Sequence, residues 1–137
     1  MHAQRYLDMY RSAGVAGAVA DADPHALIAL LYRGARERIR TARAALQRGD
    51  VPRKLAAVES ACSIVDGLRM SLDHAAGGAI AAQLDALYDY AVRRLVEANS
   101  GNDDAKLAEV DALIESVESG WQAIRPAATA RASACAG

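Results

Sequence analysis

Residues 84–99 read Leu-Asp-Ala-Leu-Tyr-Asp-Tyr-Ala-Val-Arg-Arg-Leu-Val-Glu-Ala-Asn, and this segment predicts the fold of the chain. Its apolar positions fall three or four residues apart and therefore line one face of a helix. These positions are Leu84, Leu87, Ala91 and Leu95. Tyr88 and Val92 are also four apart, and they lie beside that face. A second apolar face on a small globular protein is typical of a partner-binding surface.

The composition indicates one globular domain built from helices. The chain has 137 residues, 53% hydrophobic and 24% charged, with a net charge of −1. This balance is that of a packed domain rather than a disordered polyelectrolyte. Strands favour β-branched and aromatic residues in alternation, and the chain shows no convincing alternating run. We therefore expect an all-α fold whose core is made from Leu, Ile, Val, Ala and Tyr.

Four stretches of helical periodicity are separated by turn signals. The expected helices span about 24–48, 52–73, 79–99 and 103–124. The turn signals between them are Gly49, Gly77-Gly78 and the cluster 99–102, since glycine and asparagine end helices and form turns. Asn102 or Asp103 is suited to cap the last helix.

The short connections predict the topology of the bundle. Successive helices joined by a few residues pack antiparallel, so residues 23–125 are expected to form an up-down-up-down four-helix bundle. Residues 1–22 are expected to be a mobile N-terminal arm and residues 126–137 a disordered C-terminal tail, which is rich in small residues. Inward-facing apolar positions are expected to begin at Leu55 in the second helix and at Ile80 in the third.

Charge is unevenly distributed between the first and last helices. Residues 33–48 hold six arginines and one acid, whereas residues 103–118 hold six acids and one lysine. A basic helix can bind nucleic acid, but a net charge near zero removes the general attraction to phosphate. We therefore favour an arrangement in which the two stripes face each other across neighbouring helices, and we expect no nucleic-acid partner.

The sequence lacks the residue patterns of known catalytic and metal sites. The three histidines, His2, His25 and His74, are scattered, and no Glu-x-x-His pair of a di-iron bundle is present. Cys62 and Cys135 have neither zinc-ligand spacing nor the number needed for a disulfide framework. We expect no enzymatic activity, no cofactor and no metal site.

The sequence also predicts where the protein acts. No apolar stretch is long enough to cross a membrane, and the N-terminus lacks the apolar run of a signal peptide. We therefore expect a reduced, cytoplasmic protein without membrane insertion.

Several apolar positions exceed the needs of a single packing seam. In the first helix Leu27 and Leu30 accompany Ile28 and Leu31, and in the third helix Tyr88 and Val92 do the same. Two interpretations stay open: burial on two sides within the bundle, or a groove that binds an extended or helical peptide. In the second case the N-terminal arm, with Tyr6, Leu7 and Tyr10, would cover the groove while the partner is absent.

An ordered set of short segments resembles the FliS family of flagellar secretion chaperones. The segments are Val19–Tyr32 (Val-Ala-Asp-Ala-Asp-Pro-His-Ala-Leu-Ile-Ala-Leu-Leu-Tyr), Gly49-Asp50, Leu72-Asp73 ahead of Gly77-Gly78, Leu87–Tyr90, Arg93–Leu95, Ala98-Asn99 and Trp121. The resemblance runs from about Tyr10 to Trp121. The chain departs from the family pattern at Asp21-Ala22-Asp23, at Arg33 and in the stretch 14–18, which bears mainly on the path of the arm.

The resemblance implies a four-helix bundle that binds the disordered C-terminal segment of flagellin in the cytosol. Such binding prevents premature polymerisation and aids export. It also implies that a tyrosine of the N-terminal arm, here Tyr10, covers part of the binding surface. The flagellar export machinery or a regulator is a further candidate partner. The alternative function is a helical adaptor or regulator that binds another protein of the flagellar pathway.

These considerations give one set of candidate partner-binding residues, the apolar side chains expected to line the groove. They are Tyr10, Leu27, Leu30, Leu72, Ile80, Leu84, Tyr88 and Val92. A groove that grips a peptide can also grip a second copy, so we expect a monomer or a weak homodimer.

Overall fold

The computed structural model describes residues 24–123, which form four α-helices. They are α1 (Pro24–Gln47), α2 (Val51–Met70), α3 (His74–Gly101) and α4 (Asp104–Ala123). No strand occurs between residues 24 and 123. The expected arm at 1–22, which includes Tyr10, and the expected tail at 126–137 lie outside the described residues.

The four helices pack as a square in which each helix is antiparallel to the next. α1 contacts α2 and α4, and α3 contacts the same two helices. Two pairs at opposite ends of α1 show the direction of packing against α4: His25 contacts Trp121, and Arg43 contacts Asp104. The expected all-α, up-down-up-down four-helix bundle is confirmed.

An aspartate opens each of the last three helices. The side chain of Asp50 accepts a hydrogen bond from the backbone N–H of Arg53, and that of Asp73 accepts one from Ala76. Asp103 does the same for the N–H of Lys106, at 3.3 Å. Each carboxylate satisfies one of the N–H groups that a helix start leaves without an intrahelical partner.

Asn102 and Asp103 act on different helices. Asn102 has a left-handed backbone conformation, with φ of 49°, and its N–H bonds the carbonyl of Ala98. It therefore closes α3, whereas Asp103 caps α4. The two residues that the sequence proposed as alternatives thus serve the two sides of one turn.

A kink at Gly78 divides α3 near its start. The helix begins at His74 rather than at about residue 79, and Gly78 interrupts it with φ of 51° and ψ of −125°. A side chain at this conformation is strained, so glycine is the suitable residue. A Cβ on Gly77 would lie 2.8 Å from the Cβ of Ala81. The two glycines therefore allow the first turn of α3 to change direction and to approach the next turn closely.

The bundle core combines branched side chains with a stripe of alanines. Its largest fully buried aliphatic residues are Leu31, Ile39, Leu68, Leu95, Leu107 and Ile114. Alanine also reaches full burial, for example at Ala35 and Ala91, where a small side chain lets neighbouring helices approach. The repeat at three- and four-residue spacing therefore predicts most of the core correctly.

Two positions expected to face inward are exposed. Leu55 keeps 43% of its surface exposed because Lys54, beside it, takes the buried place in this turn of α2. The Nζ atom of Lys54 donates hydrogen bonds of 2.8 Å to the carbonyl and to the side-chain Oδ1 of Asn99 in α3. Ile80 is 69% exposed, because beyond the kink at Gly78 it is Ala81 that turns into the core.

The basic and acidic stripes of the first and last helices meet as expected. Arg36 lies at the centre, with hydrogen bonds to Asp111 at 2.9 Å, Glu118 at 2.6 Å and Glu115 at 3.3 Å. Its side chain is only 15% exposed, so this network is partly shielded from water. Toward the other end of α1, Arg43 binds both carboxylate oxygens of Asp104. The facing arrangement of the two stripes is confirmed.

Ion pairs and hydrogen bonds lower the pKa values of four carboxyl groups on the bundle surface. The groups are Asp85, Glu97, Asp104 and Glu109. For Asp104 the main cause is the hydrogen bond from Arg43, and for Glu109 it is the hydrogen bond from Tyr90, followed by that from Arg94. Each group therefore holds its proton less tightly in the folded chain than in the unfolded chain.

These shifts predict that the protein loses stability in acid. A carboxyl whose folded pKa lies below its unfolded value stabilises the fold above the unfolded value, about 4, and that contribution is lost as the pH falls through the folded value. We expect the urea midpoint to be level from pH 7 to about 5 and to fall below about 4. Urea titrations at pH 7, 5 and 3 test this, and Arg43→Gln should make the fall shallower. A midpoint unchanged at pH 3 would contradict the prediction.

Candidate functional site

An apolar cavity opens at one end of the bundle, where the start of α1, the end of α2, the start of α3 and the end of α4 meet. We call it the end pocket, and its volume is about 510 Å³. The antiparallel topology creates it, since the starts of two helices and the ends of the other two come together at this end of the bundle. All four helices contribute side chains, so the pocket exists only in the assembled bundle.

Five of the candidate partner-binding residues line the end pocket. They are Leu27, Leu72, Ile80, Leu84 and Tyr88. They come from α1, from the turn before α3 and from α3 itself. Ile80 stands at the mouth, where it is the most exposed of the large apolar side chains in the described part of the chain.

The other three candidate residues lie elsewhere. Leu30 and Val92 are partly buried and pack against the bundle core, and they are not among the residues that line the end pocket. Tyr10 lies outside the described residues. Leu30 and Val92 thus pack against the core away from the end pocket, and their part in partner binding stays a prediction.

Sequence reasoning missed several lining residues. They include Pro24, Ile28, Tyr32, Leu68 and Trp121. The spacing of Ile28 and Tyr32, four apart on the face next to Leu27, contained a usable signal. Trp121 could have been found from topology alone, because the end of the last helix must lie beside the start of the first in such a bundle.

Tyr88 forms an inner wall of the end pocket rather than an external ridge. It is 2% exposed, and its hydroxyl lies 2.6 Å from the hydroxyl of Tyr32, across the interior of the bundle. Burial raises the pKa of Tyr32, and the hydrogen bond with Tyr88 opposes that shift. The hydrogen bond between the two hydroxyls joins α1 to α3 beneath the pocket. The expected second apolar face of this helix thus points partly inward.

A reciprocal pair of hydrogen bonds connects the start of α1 to the end of α4 beside the end pocket. Nε2 of His25 lies 3.0 Å from the carbonyl oxygen of Trp121, and Nε1 of Trp121 donates to the carbonyl oxygen of His25 at 2.9 Å. The two rings are stacked, with centroids 4.9 Å apart and an angle of 13° between their planes. Trp121 also meets the ring of Tyr32 edge-on at 6.5 Å.

The side chains around the end pocket suit binding rather than bond-making. Asp73, its charged lining residue, is occupied as the cap of α3. Within residues 24–123 no three His, Cys, Asp or Glu side chains come together as a metal site would require. Burial and the nearby charges of Asp66 and Glu59 raise the pKa of Cys62 to about 11, which leaves its thiol largely protonated and unreactive. None of the four helices has the length and apolar character needed to span a bilayer.

Comparison with known proteins identifies the family. The sequence profile of the family described as "Flagellar protein FliS" matches residues 6–128, which include the whole described bundle and the end pocket. The chain belongs to the FliS family. The resemblance seen in the short sequence segments is thereby confirmed.

Relatives within the FliS family align over nearly their full length. The chain is 44% identical over 124 residues to "Flagellar secretion chaperone FliSB" of Pseudomonas aeruginosa, covering 90% of this chain and 98% of the relative. It is 39% identical over 130 residues to "Flagellar secretion chaperone FliS" of Salmonella typhimurium, covering 94% and 96%. Identity to "Flagellar secretion chaperone FliS" of Vibrio cholerae is 36% over 120 residues, or 88% of each chain.

Proposed function

We propose that this protein is a flagellar secretion chaperone that binds the C-terminal segment of flagellin in the cytosol and keeps it from polymerising before export. Two facts support the proposal. Members of the FliS family that align over most of the chain are named flagellar secretion chaperones. The described bundle also offers a pocket lined mainly by apolar side chains from all four helices.

The observation that carries the proposal is the end pocket itself. A segment that is disordered before binding loses conformational entropy when it becomes ordered, so it needs apolar contacts that offset this loss. Each large aliphatic side chain taken out of water contributes about 1.5–3 kcal/mol. A pocket of about 510 Å³ lined by residues such as Leu27, Leu72 and Leu84 has room for such anchors. Binding by this means is stoichiometric and needs no cofactor.

Calorimetry with a synthetic peptide of the flagellin C-terminus, taken from the same organism, tests the proposal. We expect a 1:1 complex with a Kd in the micromolar range, or about 8 kcal/mol, in which the anchors in the end pocket act together with further contacts along the segment to offset the ordering cost. Trp121 is the single tryptophan of the chain and lines the end pocket, so its emission should change on binding. A peptide with the same composition in scrambled order is the control.

Two results would contradict the proposal in different ways. Absence of heat and of complex at micromolar concentration would remove flagellin as the partner and favour an adaptor that binds another flagellar protein. A complex that leaves the emission of Trp121 unchanged would place the flagellin contact away from the end pocket.

A further inference from the structure

We infer that His25 is a positioning residue for the end pocket: it fixes the last turn of α4 so that Trp121 forms a pocket wall, and partner affinity depends on it. His25 itself is not among the lining residues, whereas Trp121 is. The binding part of this inference rests on the proposed function. The positioning part concerns the free protein and stands on the contacts alone.

The contact between His25 and Trp121 restrains both the backbone and the side chain of Trp121. Trp121 lies near the end of the described part of α4. Nε2 of His25 donates a hydrogen bond of 3.0 Å to the carbonyl oxygen of Trp121. The indole N–H is held in turn by the carbonyl of His25, and the stacked rings fix the plane of the indole.

Among the described residues, two further contacts restrain the end of α4: the hydrogen bond from Arg36 to Glu118 and the edge-on contact of Trp121 with Tyr32. Gly120, the residue before Trp121, is exposed, and a Cβ built there meets no atom of the described residues within 4 Å. Glycine in a helix interior also favours fraying, because it loses more backbone entropy than other residues on ordering. Within residues 24–123, the indole of Trp121 makes ring contacts with His25 and with Tyr32.

Trp121 continues an aromatic wall that reaches the bundle interior. Its ring contacts Tyr32, whose hydroxyl meets that of Tyr88, and all three line the end pocket. Release of Trp121 would leave the wall open on the α4 side and would expose the indole to water. The pocket would then offer a partner less apolar contact at the same place, which weakens binding.

The test uses four single variants of the full chain. His25→Ala removes both the hydrogen bond to the Trp121 carbonyl and the ring stacking. His25→Gln keeps a side-chain N–H donor at about the distance of Nε2 from the backbone. His25→Phe keeps an aromatic ring that can stack but has no donor. His74→Ala replaces an exposed histidine at the start of another helix and serves as the matched control. The readouts are the emission maximum of Trp121 in the free protein, hydrogen exchange of the last turn of α4, the urea midpoint and the Kd for the flagellin C-terminal peptide.

For His25→Ala we expect emission at longer wavelength, faster exchange in the last turn of α4 and a Kd weaker by about tenfold, since one apolar contact is lost. The urea midpoint should stay close to wild type, and His25→Gln and His25→Phe should each give intermediate values. His74→Ala should match wild type in every readout.

Unchanged emission and exchange in His25→Ala would overturn the inference, as would equal effects of His74→Ala. If His25→Ala does not fold, the same comparison is made with His25→Gln and His25→Phe, and wild-type emission in both would overturn it. If wild type fails to bind the peptide, the proposed function fails. The emission and exchange of the free variants then still decide whether His25 positions Trp121.

Discussion

Replacement of Ile80 by Asp is expected to weaken binding of the flagellin C-terminal peptide by about 100-fold, or 2.7 kcal/mol, and to leave the bundle folded. Ile80 is 69% exposed at the mouth of the end pocket, so a carboxylate there is hydrated in the free protein. In the complex the apolar contact would be lost and the carboxylate would be partly dehydrated without a partner. Calorimetry of the variant, with circular dichroism as the folding check, measures the effect.

Val96→Asp is the matched control for this prediction. Val96 is a β-branched residue of the same helix and is 57% exposed. It lies sixteen residues from Ile80 toward the other end of the bundle, which corresponds to about 24 Å along the helix. We expect its Kd to stay within about twofold of wild type, because a hydrated surface charge at that distance contributes little. Equal losses in the two variants would show that the end pocket is not the site of binding.

Replacement of Arg36 by Met is expected to lower the free energy of unfolding by about 3 kcal/mol, and hence the Tm by roughly 10–20 °C for a domain of this size. Arg36 holds three carboxylates of α4, and two of them, Asp111 and Glu118, have side chains only 14% and 10% exposed. Removal of the guanidinium leaves these charges close together and poorly hydrated. Thermal unfolding at pH 7, followed by circular dichroism, gives the measurement.

Arg33→Met provides the comparison, because Arg33 is exposed on the same helix one turn earlier. Loss of a surface arginine changes stability by no more than about 0.5 kcal/mol. In the Arg36→Met background, Glu118→Gln should restore part of the lost stability, because it removes one uncompensated carboxylate. A Tm for Arg36→Met close to that of Arg33→Met would mean that the network is no stronger than an ordinary exposed ion pair.

The sequence predicts the helices and their order because the signals for them are local. Apolar residues at three- and four-residue spacing define a helical face, and residues such as Asp50 and Asn102 act within one turn of their own position. Short connections then leave antiparallel packing as the simple solution. Opposite charges on the first and last helices could also be paired from sequence, because topology makes those helices neighbours.

The candidate site was predicted only in part. The spacing marked Leu27 and Tyr88 as surplus apolar positions, but it gave no reason to separate them from Leu30 and Val92. A periodic pattern states which residues share a face and not how that face is rotated toward the core. The kink at Gly78 changes this rotation at the start of α3, which brings Ala81 inward and leaves Ile80 at the pocket mouth.

By itself the sequence determined four helices, their antiparallel order and the meeting of the two charged stripes. Only the tertiary structure decided that Tyr88 turns inward to Tyr32, and that His25 and Trp121, 96 residues apart, bind each other beside an apolar pocket. The reason is physical. Helix formation and capping depend on neighbours within about one turn, whereas a pocket depends on side chains from four separate helices whose relative rotation is set by packing.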